Sequence, residues 1–172
     1  PGDGHARRSR RSEHRRTRPA EGLTGGTMRA LLAHAAHLGV SVHVAHITPP
    51  YRGFYDHDRR MVVYDFTLSP IERDCVLAHE LGHAFYGHQD RHDQEAEDDA
   101  DAYAAALLVD PDRYARLEQI GLNPDEIAEE LGVSEKLLRV FVETQVTRIR
   151  GAAYSSSRMG QGQFRHAARW AI

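Results

Sequence analysis

The run from Ser69 to Gly87 constrains this chain more than any other, because its ends and its buried face are both legible in the residues. Ser69-Pro70-Ile71-Glu72 reads as a helix start, with Ser69 as N-cap, Pro70 at the first helical position and Glu72 closing a capping box. Ile71, Cys75, Ala78, Leu81 and Phe85 recur at helical spacing, and Gly87 supplies a stop. The predicted helix runs from about Pro70 to Tyr86 and displays His79-Glu80-Leu81-Gly82-His83. Histidines four apart lie on one helical face, so both imidazoles can reach a single divalent ion. The glutamate beside the first histidine is then placed as a base toward water held at the metal. With 12 His and 12 Glu in 172 residues the five-residue pattern arises by chance about 0.06 times, so context must decide.

The context is an acidic helix downstream. Two histidines leave a tetrahedral zinc short of one protein ligand, with the fourth position kept for water. Glu97-Asp98-Asp99-Ala100-Asp101 begins 14 residues after His83, at the head of an Ala-rich segment ending in Leu107, Leu108 and Val109. Glu97 and Asp101 are one turn apart and share a face. Glu97 is the expected third ligand, with Glu95 as the fallback, and Asp101 is placed to accept the second N–H of a ligating histidine. The remaining acids suit a solvated face near a helix N-terminus, where negative charge favours the dipole. A three-histidine arrangement, H-E-x-x-H-x-x-G-x-x-H, is excluded because Tyr86 and Gln89 occupy the positions where it needs Gly and His. The expected cofactor is one Zn²⁺, with Mn²⁺ able to stand in its place.

His79-Glu80-Leu81-Gly82-His83-Ala84, followed by Glu97-x-x-Ala100-Asp101-x-Tyr103-Ala104-Ala105-x-Leu107-Leu108, resembles the ImmA/IrrE metallopeptidases. The resemblance begins near Gly53, where Arg52-Gly53-Phe54-Tyr55 leads into Met61-Val62-Val63-Tyr64, and continues to about Phe141. It implies His79, His83 and Glu97 as zinc ligands and Glu80 as catalytic acid/base. It also implies an origin on a mobile element or in a stress-response locus, and a helix-turn-helix transcriptional repressor as the protein substrate. One departure is visible: the family often carries Pro where this chain has Asp110, and Pro111 follows instead.

Before that core the chain reads as helix then strands. Thr27 to Leu38 is predicted helical, with Leu31, Leu32, Ala35 and Leu38 as its buried stripe and Gly39 as its stop. Val40 to Ile47 alternates and is β-branched, which predicts a strand; His43 and His46 then face opposite sides and make poor joint ligands. His34 and His37 read as surface helix histidines rather than a second metal pair. Pro49-Pro50 breaks the strand. Tyr51 to Tyr55, a turn at Asp56-His57-Asp58, and Arg60 to Phe66 predict a hairpin leading into the metal helix. Such a sheet could hold an extended substrate by edge pairing.

After Pro111 the pattern is helical throughout. Asp110-Pro111 and Asn123-Pro124 start two helices, and Gly121 ends the first. Ile127-Ala128-Glu129-Glu130-Leu131-Gly132-Val133-Ser134, then Leu138 and Phe141, has helix-turn-helix spacing. DNA binding does not follow: the would-be recognition helix carries only Lys136 and Arg139, amid Glu126, Glu129, Glu130 and Glu135. A helical hairpin that backs the peptidase core, or docks the repressor, is the better expectation.

The fold class expected is α+β: a mostly helical zincin-like domain with a small sheet beside the active-site helix. The expected organisation is an Arg-rich tail over 1–26, a metallopeptidase core over 27–121, a helical hairpin over 122–150 and a Ser/Gly-rich tail over 151–172. Residues 1–24 carry seven arginines against Asp3, Glu13 and Glu21, a local +4, which leaves −7 on the remainder of a chain of net charge −3. So little is apolar between Arg7 and Arg18 that disorder is expected there, with at most weak contact to nucleic acid. A single cysteine, Cys75, excludes an intramolecular disulfide, and no apolar run approaches the ~20 residues that span a bilayer. A soluble cytoplasmic protein is the expectation.

The residues thus predict a zinc-dependent peptidase in which Glu80 takes the water proton and passes it to the leaving amine. Candidate oxyanion donors are Tyr86, His88, His92, Tyr103 and Tyr114. The alternatives are an antirepressor or sensor that acts by binding without proteolysis, and a DNA-binding regulator with a structural zinc.

Overall fold

The computed structural model describes residues 27–89 and 93–146. In chain order these form α1 (Thr27–His37), β1 (Ser41–Ala45), β2 (Gly53–Asp56), β3 (Met61–Asp65), α2 (Pro70–Tyr86), α3 (Gln94–Leu108), α4 (Pro111–Gln119), α5 (Pro124–Leu131), α6 (Glu135–Phe141) and a closing π-helical turn, Val142–Val146. The class is α+β, mostly helical with one small sheet. Among the described residues no helix is long and apolar enough to cross a membrane.

The ends of α2 fall where the sequence places them. Ser69 accepts from the Glu72 amide while Glu72 accepts from the Ser69 amide, and Gly87 closes the helix in the left-handed conformation at φ 73°. A residue with a β-carbon is disfavoured in that conformation. Leu77 and Leu81 are fully buried, each worth roughly 1.5–3 kcal/mol on removal from water. That burial fixes which face of α2 turns inward and leaves His79, Glu80 and His83 on its flank. The other helix starts are equally local: Asp93, Asp110, Asn123 and Ser134 each cap the helix that follows.

The sheet has the order β1-β3-β2, with β1 parallel and β2 antiparallel to β3. Phe54 faces Val63 and Tyr55 faces Val62 in the hairpin. The observed β1 is shorter than the predicted strand: by Ile47 the backbone amide is donating to the Asp65 carboxylate instead. In α1 the buried residues are Leu31 and Ala35, while Leu32 is 44% exposed and Leu38 only partly buried. The predicted stripe was too wide because α1 presses a single edge against α2 and β1, and Leu32 points off that edge.

Helix α2 is the hub of the molecule, packed against α1, β2, β3 and above all α3. The α2–α3 crossing is very close. A β-carbon on Gly82 would stand 2.9 Å from the Ala100 Cα, 3.0 Å from its carbonyl oxygen and 3.2 Å from the Tyr103 Cβ. Gly53 plays a similar part on the other side, where a β-carbon would meet Val76 Cγ1 at 2.5 Å. Helix α6 lies along α3, and its Leu137, Leu138 and Phe141 are buried.

Candidate metal centre

The α2–α3 contact brings three ligand-bearing side chains together. His79 Nε2 and His83 Nε2 lie 3.1 Å apart. Glu97 straddles the pair, with Oε2 3.3 Å from His79 Nε2 and Oε1 3.4 Å from His83 Nε2. An ion with bonds of ~2.0–2.1 Å at tetrahedral angles needs ligand atoms roughly 3.3–3.4 Å from one another. The spacing present therefore suits a small divalent ion, and two nitrogens with a carboxylate form a donor set that zinc accepts. Among the described residues this is the one group of three or more His, Cys, Asp or Glu placed to hold a metal.

Both imidazoles are oriented from behind. His79 Nδ1–H donates to Asp101 Oδ1 at 2.8 Å, which leaves Nε2 turned toward Glu97. His83 Nδ1 is 3.0 Å from His88 Nδ1, so one of these nitrogens donates and the other accepts. A hydrogen bond at the far nitrogen sets tautomer and ring orientation, as metal-ligating histidines require. Burial works against the charged form of His79, but the Asp101 hydrogen bond and the charges of Glu80, Asp101 and Glu97 outweigh it and raise its pKa. Burial likewise pushes the Asp101 carboxyl up, yet the bonds from His79 and Lys136 bring it below the usual range.

The three side chains line a cleft of about 660 Å³. One wall is α2 with His79, Glu80 and His83; the other is the run from Tyr51 and Gly53 through Asp58, comprising β2 and the turn after it. Glu80 is 8% exposed and sits opposite Gly53, whose missing side chain lets the outer strand approach the helix. Arg52, leading into β2, pairs with Glu72 in the first turn of α2 and ties the two walls together.

The candidate oxyanion donors separate once placed. His88 lines the cleft. Tyr103 does not: it is buried, its hydroxyl is 2.5 Å from His34 Nε2, and its ring packs on Phe85 and Tyr86. Tyr114 is corrected similarly, for it packs edge-on against Phe141, bonds Glu118 and lines a separate cavity of about 390 Å³ beside α5 and α6. Tyr86 stacks on His88, which lines the cleft, and is not itself among the lining residues. His92 lies outside the described residues. Glu95, the fallback ligand, is exposed in the first turn of α3 and does not join the histidine pair.

Sequence reasoning missed three participants. His57, from the turn after β2, lines the cleft beside Asp56 and Asp58. The hairpin was legible but the wall it faces was not. His34 reads as a surface histidine, yet it is half-buried against Tyr103, and burial followed by the neighbouring His37 lowers its pKa. Lys136 meets Asp101 from α6, 35 positions along the chain, a contact no local pattern announces.

A helix bearing H-E-x-x-H, a third donor from the next helix and an outer strand flanking the cleft together define a metallopeptidase-like domain. The comparison with known families agrees: residues 35–143 match Peptidase_M78, the IrrE N-terminal-like domain, and this chain belongs to that family. No curated protein matches it.

Proposed function

We propose that this protein is a zinc-dependent endopeptidase acting on a protein substrate. The observation that carries the reading is the convergence of His79, His83 and Glu97 at tetrahedral spacing, with Glu80 beside them on the cleft wall. When bound, the ion supplies Lewis acidity that brings the pKa of water toward ~7 and polarises a carbonyl. His79, His83 and Glu97 hold it, and Mn²⁺ would fit the same donors. The Glu80 carboxylate takes a proton from the attacking water as the oxygen–carbon bond forms, then delivers it to the amine nitrogen as the carbon–nitrogen bond breaks. Such a group is typically worth ~10²–10⁴-fold. His88 is the candidate donor toward the developing oxyanion. An extended segment could lie along β2, the outer strand on the cleft side.

A helix-turn-helix repressor is the substrate we favour. The cleft is lined by Asp56, Asp58, Glu80 and Glu97 and by no lysine or arginine among the described residues, which suits a basic DNA-binding partner. The reading of α5–α6 as a DNA reader is weakened because Lys136, one of the two cations of α6, is paired with Asp101. The test is incubation with the repressor encoded nearest this protein, followed by mass spectrometry of fragments. Zinc-loaded wild type should cut; chelated wild type and Glu80→Gln should not. Release of intact repressor by both wild type and Glu80→Gln would instead establish antirepression by binding.

A further inference from the structure

We propose that Lys136 is a positioning residue for the metal centre, through which the α5–α6 hairpin is linked to the hydrolytic site. The inference rests on the metal-site reading above. Asp101 stands between the two: Oδ1 accepts from His79 Nδ1 at 2.8 Å, and Oδ2 accepts from Lys136 Nζ at 2.7 Å. Each carboxylate oxygen has its own donor, so the plane of the carboxylate is fixed from both ends. A carboxylate held only by the imidazole could rotate about its Cβ–Cγ bond and carry the ring with it. With Lys136 in place, Asp101 holds His79 Nε2 on the side of His83 and Glu97.

The chain of contacts crosses three elements. Lys136 lies in the first turn of α6, Asp101 on α3 and His79 on α2. Helix α6 packs against α3 and buries Leu137, Leu138 and Phe141, and its first turn meets α3 at Asp101. The two ends of the relay differ in exposure: the Lys136 side chain is 72% exposed, against 16% for Asp101 and 18% for His79. An ion pair so open to water is a weak link. Lys136 is also the only lysine in the sequence, among 21 arginines. A compact ammonium on a flexible stem can cap a single carboxylate oxygen, and one N–H of a guanidinium can do the same.

The test measures zinc affinity by competition with a chromophoric chelator on the full chain, with thermal unfolding as a folding control. Lys136→Met should weaken zinc by about 3–10-fold, less than the ~10–100-fold typical of a direct partner of a ligating histidine such as Asp101. Lys136→Arg should keep wild-type affinity to within about twofold. The decisive comparison is a double-mutant cycle: in an Asp101→Asn background, Lys136→Met should cost nothing further. Unchanged affinity in Lys136→Met, or an equal loss in both backgrounds, overturns the relay while leaving the metal site standing. A wild-type chain that binds no zinc overturns both.

Discussion

Gly82→Ala is the sharpest perturbation of this fold, because one methyl group acts on two quantities at once. Gly82 sits inside α2 between the two histidines, where glycine costs about 0.8–1.0 kcal/mol of helix propensity relative to alanine. On that ground alone the substitution should stabilise. The structure says otherwise. The new carbon would lie 2.9 Å from Ala100 Cα and 3.0 Å from Ala100 O, both backbone atoms of a helix that cannot swing aside like a side chain. Ordinary contact begins near 3.4 Å, so α2 and α3 must separate by about half an ångström. Overpacking of this kind costs typically 1–3 kcal/mol. Subtracting the recovered propensity leaves a net loss of about 0–2 kcal/mol. The functional effect should be larger in proportion, since Glu97 rides on α3 and the histidines on α2. Metal sites tolerate ligand displacements of only ~0.2 Å, so zinc affinity should fall by at least ~10-fold, about 1.4 kcal/mol. Urea denaturation of the metal-free chain gives the first number and chelator competition the second. A Gly82→Ala protein of wild-type or greater stability with unchanged zinc affinity would refute the claim that backbone contact at this crossing builds the site.

Other outcomes follow from the same geometry. Glu80→Gln should bind zinc as wild type does while cleavage falls by ~10²–10⁴-fold; equal turnover would remove its assigned role. Asp101→Asn should weaken zinc by ~10–100-fold without unfolding the chain, as chelator competition and thermal unfolding would show. The Asp65 carboxyl is held at about 2, below its ordinary 3.8, chiefly by the Thr67 hydroxyl and then by the Ile47 and Thr67 amides. Because the folded pKa is the lower one, its stabilising contribution is complete above about pH 4 and is lost as pH falls toward 2. The stability gap between wild type and Asp65→Asn should therefore shrink across that interval, and a constant gap would argue against it.

Much of the helical framework was decided locally. The capping boxes at Ser69 and Asn123, the aspartate caps at Asp93 and Asp110 and the αL stop at Gly87 each involve residues within a few positions of one another. Local hydrogen bonds and periodicity suffice to mark such ends, so α2 could be drawn to the residue and the histidine pair set on one face. The hairpin was legible for the same reason, as two β-rich runs around a short turn.

The sequence by itself thus determined which segments are helix and which are strand, and that two imidazoles share one side of α2. Tertiary structure alone decided what they meet. Glu97 and Glu95 were both admissible by spacing; the depth at which α3 sits on α2, set by bare backbone at Gly82 and Ala100, brings Glu97 to the histidines. Tyr103 and Tyr114 carry hydroxyls fit for catalysis, yet packing spends them on His34 and Glu118. His57 and Lys136 arrive from a turn and from a helix that the chain reaches only by folding back. Periodicity reports how a segment relates to itself; the distance between two segments depends on the volumes packed between them, and no local pattern encodes that sum.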